Sequence, residues 1–491
     1  MTSRVDRRRF LTRSALVAAC LAGRGPAGWA RAAVAAADRE AMRIQPWTED
    51  PFYWQYKGRP VLLLGGSDQD NLFNHPDLPP DGLEAQLDLL ASVGGNCVRN
   101  TMSSRDAGNV FPFARRDDGH YDLDRWNDAY WQRLDRLLAL AEARDIIVQI
   151  ELWDPHDYYR DIAEQGGWSR HPFNPRNNVN YTSDESGLIE EVDWSAVHDP
   201  ELDHPFFQTA PAERDLALVR GYQERFVDKV LEVSFPYPNV LYCVSNESND
   251  SLHWSDYWAA HLRRRAEEAG TEIEVGEMRF PNDPRHGDFE HLIERPELYA
   301  FLDVGQLNRP VQQRHWGNLQ YLRGRLAEQP RPINNTKIYG GDEVGWTGGY
   351  RTGEECFWRN VLGGAASARF HRPPAGRGLS APAQAHLRSA RMIAERMDFF
   401  AAEPRLDLLS DRAANEAYLR CVPGRQYALY FPDGGEVRID LSGAAGALSA
   451  RWLEIPTSRW REPFRLPAEP RVPLQAPGGG HWALLILAGS D

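Results

Sequence analysis

The chain has 491 residues, a formal net charge of −14 and 42% hydrophobic residues. That length supports a large buried core, and the acidic balance opposes binding to nucleic acid or to an anionic membrane, while leaving room for a local arginine pocket that would take an acidic sugar. Beyond the first forty residues there are four cysteines, Cys97, Cys243, Cys356 and Cys421, whose spacing is not that of a zinc site. They read as buried thiols.

The N-terminal segment is set apart from the fold. Asp6-Arg7-Arg8-Arg9-Phe10-Leu11, an apolar stretch from Ser14 to Gly23 and alanine-rich cleavage candidates near Ala30-Arg31-Ala32 resemble a twin-arginine leader, taken here as residues 1–36. This predicts a periplasmic or secreted protein. Val17-Ala18-Ala19-Cys20 also has the form of a lipobox, so a lipid anchor on Cys20 stands beside the reading of Cys20 as a small hydrophobe. The apolar stretch is too short to span a bilayer, and no later segment is long and apolar enough to do so.

From there on, apolar β-branched runs alternate with helical stretches, the pattern of a parallel sheet covered by helices. The predicted strands are Val61–Gly65, Asn96–Arg99, Ile146–Glu151, Val240–Val244, Glu272–Val275, Leu302–Val304, Thr336–Tyr339 and Ala365–Phe370. Eight such units fit an α/β fold of the (β/α)8 TIM-barrel type over residues 37–400. Trp131, Leu134, Leu137, Leu138 and Ala141 recur at three- and four-residue steps, which marks an amphipathic helix before the third strand. The long polar and aromatic stretch from Asp154 to about Pro211, with Trp168, His171, Asn174, Asn177, Asn178 and Tyr181, is predicted to wall one side of a cleft. After Pro404 the runs become short and alternating (Arg425–Tyr430, Val437–Leu441, Ser449–Leu453, His481–Ile486) between Gly and Pro turns, which predicts a C-terminal β-sandwich over residues 404–491.

Two glutamates follow predicted strands: Glu247 after the fourth and Glu343 after the seventh. Catalytic groups of a parallel barrel gather at the carboxyl ends of its strands, and two carboxylates facing one cleft are the machinery of glycosidic bond hydrolysis. With Asn246 before Glu247 and Arg99 at the end of the second strand, residues 50 to 395 resemble the clan of retaining glycosidases that share a (β/α)8 barrel with catalytic glutamates after strands four and seven. The resemblance implies Glu247 as acid/base, Glu343 as nucleophile, Asn246 on the sugar 2-hydroxyl and Arg99 beside the nucleophile. After strands six and eight, where the clan often carries an aromatic or His and a Trp, this chain has Gln306-Leu307-Asn308 and Phe370-His371-Arg372. The C-terminal region looks like the β domain, named for collagen binding, that often accompanies such barrels.

Further candidates for the sugar are Asp68 within Ser67-Asp68-Gln69-Asp70-Asn71, then Trp153 and Asp154 at the end of strand three, Gln306, His371, and Trp346 just after Glu343. Trp254 and Trp316 lie near strand ends and could stack on sugar rings, whereas Trp258 reads as core. The histidines show no HExxH or other metal spacing, so neither a metal nor another cofactor is expected. The predicted partner is a carbohydrate substrate. The sequence leaves open the oligomeric state, as it does a rival reading, a non-catalytic carbohydrate-binding cell-envelope protein on a barrel scaffold.

Overall fold

In the computed structural model, residues 41–78, 82–159, 167–192, 204–307, 311–341, 348–444 and 446–489 are described. The leader predicted over residues 1–36, with Cys20, lies outside them, as do Glu343 and Trp346.

Eight parallel strands close into a barrel: β1 (Leu63–Gly66), β2 (Cys97–Thr101), β3 (Ile147–Trp153), β4 (Val240–Ser245), β5 (Val275–Met278), β6 (Phe301–Asp303), β7 (Ile333–Ile338) and β8 (Ser367–Phe370), with β8 pairing back onto β1. A helix follows each strand: α1 (Gly82–Ser92), α2 (Asp128–Glu142), α3 (Ala217–Ser234), α4 (Leu252–Ala269), α5 (Gly287–Ile293), α6 (Gln312–Arg325), α7 (Tyr350–Gly363) and α8 (Ala381–Ala394), with long connections before α2 and α3. The periodic residues Trp131, Leu134, Leu137, Leu138 and Ala141 are the buried stripe of α2, as expected for a helix packed on a sheet. None of the described helices is long and apolar enough to cross a membrane.

The strand boundaries differ from the predicted ones by up to three residues, and two of the shifts have a visible cause. The run predicted as Val61–Gly65 splits, because Arg59–Val61 belongs to a small antiparallel sheet with Gln45–Pro46 and Trp54–Tyr56 that lies outside the barrel. The fifth strand starts at Val275 where Glu272–Val275 was expected. Gly270 ends α4 in the left-handed conformation, and residues 271–274 are spent on the connection. Gly276, a poor strand former by propensity, is required because a Cβ there would meet the Phe301 ring at 2.6 Å.

The first layer of the barrel interior is apolar: Leu63, Cys97, Ile147, Leu241, Phe301 and Ala366 pack with Trp54 and Tyr56 of the small sheet and with Ile44 just before it, which together plug that end. Above it the interior is polar. Gln149 of β3 donates across the barrel to Asp303 of β6 at 2.6 Å, and Asn334 of β7 receives Trp54 Nε1 at 2.9 Å while donating to Gln149 at 3.1 Å.

The C-terminal module has two sheets. One runs β9 (Glu403–Pro404), β11 (Tyr418–Val422), β12 (Gln426–Phe431), β18 (Trp482–Ala488), β14 (Leu448–Glu454), β15 (Arg459–Trp460), with β16 (Phe464–Arg465) also on β14; the other is β10 (Leu409–Ser410), β13 (Glu436–Asp440), β17 (Arg471–Gln475). Leu419, Leu429, Phe431 and Leu484 pack between the sheets with Val437, Ile439, Val472 and Leu474. The alternate residues Tyr418, Ala428, Tyr430 and Leu485 instead join the core of the barrel. The larger sheet is therefore buried on both faces, and Tyr430 stacks on Trp358 of α7 at 5.3 Å. All four cysteines beyond the leader are buried.

Candidate active site

The chain leaves β4 under tight control. Asn246 N donates to Trp153 O of β3 at 2.8 Å and Ser248 N to Met278 O of β5 at 2.9 Å, so both neighbours of Glu247 are pinned to flanking strands. Glu247 itself has φ 58°, the left-handed region that a non-glycine residue enters only at a cost of about 1–3 kcal/mol. Its side chain stays 11% exposed among otherwise buried groups. Leu241, Cys243, Ser245 and Glu247 share one parity, and Leu241 packs in the barrel interior, which carries Glu247 to the barrel mouth.

A bulge in β7 supplies its partners. Asn335 pairs with Ala368 and Ile338 with Phe370, so β7 spends three residues where β8 spends two. Asn334 and Thr336 point inward, Thr336 onto Asp303. Unbroken alternation would send Lys337 and Tyr339 to the helices. The extra residue turns both into the site, where Lys337 Nζ forms an ion pair with Glu247 Oε1 and donates to Asn246 Oδ1 at 3.2 Å. Tyr339 OH donates to Glu247 Oε1 at 2.8 Å, and Gln306 donates to Tyr339 OH at 3.0 Å. His371 lies edge-on to the Tyr339 ring at 4.8 Å.

Beside this cluster runs a buried ionic network. Arg99 donates through Nε to Glu151 and through Nη1 to Asp70, both at 2.6 Å, and Arg372 adds a second cation to Asp70 at 2.6 Å. Arg105 pairs with Asp154, and with Asp157 at 3.2 Å. Asp154 in turn accepts from Asn246 Nδ2 at 3.1 Å. Burial would raise the Asp70 carboxyl, but the Arg99 and Arg372 guanidiniums outweigh it and hold the group well below its ordinary range. Burial wins at Glu151, pushed up to about 7, and at Asp157, pushed up to about 6. Burial also lowers His371 and Lys337 well below their ordinary values, with Arg99 adding to the effect at Lys337.

Of the residues expected in the site, Glu247, Asn246, Asp154, Gln306 and His371 are brought together, with Arg99 one layer below. Others are placed elsewhere. Asp68 accepts from Leu379 N at 2.9 Å and Gln86 Nε2 at 3.3 Å, so it clasps the loop after β1 to α1 and to the chain before α8; the acid of that loop that joins the ionic network is Asp70. Trp153, fully buried, packs against Trp258 at 5.1 Å, Trp254 at 5.8 Å and Phe226 at 5.5 Å, because an indole at this strand end gains more by filling the space under α3 and α4 than by facing water. Trp254 is core for the same reason, and Trp316 is covered by Tyr418 of the C-terminal module at 5.0 Å. In the long connection after β3, Asn174, Asn178 and Tyr181 bond back to that connection's own carbonyls, so they hold it in shape. The residues the sequence reading missed are Lys337, Tyr339, Asp70 and Arg105. The first two were hidden by the bulge; the repeated Asp of Ser67-Asp68-Gln69-Asp70 was a signal read one residue pair too early.

One further group has the spacing of metal ligands: Glu354, His386 and His481, at the junction of the barrel with the C-terminal module. Trp358 Nε1 donates to His386 Nδ1 at 3.0 Å, which leaves the imidazole proton on Nε2, the nitrogen facing Glu354. Arg377 already supplies a cation to Glu354 at 2.5 Å. These residues form a hydrogen-bonded clasp between domains, with His481 Nε2 on Glu354 at 3.1 Å.

A family described as a domain of unknown function (DUF6298) matches residues 112–278, from the segment after β2 to the end of β5. No curated protein matches the sequence significantly. Among solved structures, a glycoside hydrolase family 5 protein from Bacteroides vulgatus aligns over 92% of this chain and 94% of its own, at 13% identity and a TM-score of 0.58. A second, described as a glycoside hydrolase, covers 92% of this chain and 98% of its own at 12% identity and a TM-score of 0.58. At such identities the likeness is one of fold, and it extends over barrel and C-terminal module together.

Proposed function

We propose that the protein is an exported glycoside hydrolase that cleaves a poly- or oligosaccharide with retention of configuration. The observation that carries this reading is Glu247: a carboxylate in a left-handed backbone conformation at the mouth of a (β/α)8 barrel, preceded by Asn246 and hydrogen-bonded by Tyr339. The shared fold of known glycoside hydrolases supports it. In this mechanism Glu343 attacks the anomeric carbon while Glu247 protonates the departing oxygen. Glu247 then deprotonates the water that releases the sugar from Glu343.

Asn246 holds the sugar 2-hydroxyl, Gln306 and His371 line the subsite through Tyr339, and Arg99 supplies a fixed positive charge that keeps the nucleophile ionised. The twin-arginine-type leader would deliver the folded enzyme to the periplasm or beyond. The test is to incubate purified protein with mixed plant, algal and bacterial polysaccharides and measure new reducing ends, beside Glu247→Gln. Release by the wild type and its loss in the variant is the expected result. Binding without release across the panel would contradict the proposal and favour a carbohydrate-binding role.

A further inference from the structure

The chain contains 53 arginines and only three lysines, Lys57, Lys229 and Lys337. Lys57 and Lys229 sit on the surface, their side chains 35% and 20% exposed, each beside an acid. Lys337 is 3% exposed and sits on the carboxylate proposed to do the chemistry. The other cations buried here, Arg99, Arg105 and Arg369, are of a kind that never gives up its proton, whereas a lysine amine in an apolar or cationic setting does. At this one position the fold has also spent a strand bulge to turn the side chain inward.

We propose that Lys337 stores the proton that Glu247 delivers, the two side chains acting as one acid–base pair. This rests on the glycosidase reading above. The resting pair is an ammonium on a carboxylate. As Glu247 passes a proton to the departing glycosidic oxygen, Lys337 replaces it, leaving a neutral amine and a carboxylate. When Glu247 later takes a proton from the attacking water, that proton returns to Lys337, and the pair is restored with none gained or lost. Lys337 is a positioning residue, since it acts through Glu247.

The surroundings favour transfer. Lys337 faces Glu247 and Asn246 of the β4 end, Glu151 of β3 and Asp154 just after it, Arg99 of β2, Asp70 of the loop after β1, Tyr339 just after its own strand and His371 after β8. Burial and Arg99 weaken its hold on the proton, while Asp70, Glu151 and Asp154 strengthen it, with the net effect a loosened proton.

With three lysines, the proposal can be tested without a substrate. Protein labelled with 13C at lysine Cε gives three resonances, and the surface variants Lys57→Arg and Lys229→Arg assign Lys337 by elimination without touching the site. The Lys337 resonance is expected to titrate more than one unit below the other two, and to move further down in Glu247→Gln. Titration alongside the surface lysines, near the ordinary value of about 10.4, or indifference to Glu247→Gln, would overturn the pairing.

Kinetics on a panel of 4-nitrophenyl and alkyl glycosides supply the second arm. Lys337→Met should lose on the order of 100-fold in kcat on alkyl glycosides, whose leaving groups need a proton, and far less on 4-nitrophenyl glycosides, with KM little changed. Lys337→Arg keeps the charge and should fail to rescue; wild-type activity in that variant would overturn the proposal. If the wild type hydrolyses no glycoside, it is the glycosidase reading that fails, and with it proton delivery, while the titration separately decides whether the two groups share a proton.

Discussion

The two ends of the barrel bury opposite things. At the amino-terminal end of the strands, Leu63, Cys97, Ile147, Leu241 and Phe301 meet Ile44 and Trp54 in an apolar plug. At the carboxyl-terminal end, on the same strands and the loops that follow them, Arg99, Arg105, Asp70, Glu151, Asp154 and Lys337 are likewise buried. Apolar burial of this kind stabilises by roughly 25 cal/mol per Å². Buried ion pairs at best break even against their desolvation. A fold selected only for stability would have filled both ends alike, so the difference marks where stability gives way to chemistry.

Substitutions at the two ends should therefore fail in different ways. The largest effect is expected at Glu247: Glu247→Gln should lower kcat by about 100- to 10,000-fold on substrates with poor leaving groups, measured in steady state on whichever glycan is cleaved. Arg99→Met removes the cation shared by Glu151 and Asp70 and should destabilise the protein by about 3–5 kcal/mol, read from urea unfolding. Leu241→Ala, in the plug, should cost about 2–5 kcal/mol while the folded fraction keeps wild-type kcat and KM. A change of KM in that variant would break the comparison.

The pH dependence offers a smaller contrast. The Glu151 carboxyl is held up at about 7 in the folded state, so the folded protein binds its proton more tightly than the unfolded chain. Its contribution is favourable in acid and is lost as pH rises from the ordinary glutamate value through about 7. Glu151→Gln should flatten this fall between pH 5 and 8 by about 2 kcal/mol or less, visible as a shallower change of Tm with pH. Smallest of all, Asp68→Asn should cost about 1 kcal/mol and leave KM unchanged, since Asp68 clasps two loops together; a large rise in KM would return it to the sugar site.

Much of this was legible in the sequence, for a physical reason. Runs such as Ile147–Val148 and Val240–Leu241 are unambiguous because buried parallel strands must be apolar on both faces. The fifth strand was misplaced because Ile273 and Val275 read as strand while Gly276 does not, although only glycine fits against Phe301. Glu247 and Asn246 could be found because they follow such a run directly. Lys337 and Tyr339 could not, since one bulge reverses the parity of everything after it and leaves no compositional mark. Trp153 misled in the opposite sense: nearness to a strand end suggested the cleft, and aromatic area decided for the core.

The central claim is that Glu247 moves the proton in a retaining displacement, and azide rescue tests it most directly. Glu247→Gln, given an activated aryl glycoside, should form the glycosyl-enzyme and then stall, because no base remains to activate water. Added azide attacks without needing a base, so turnover should return and the product should be a glycosyl azide of retained configuration. An inverted azide product, or rescue of Glu343→Gln in place of Glu247→Gln, would contradict the roles assigned here.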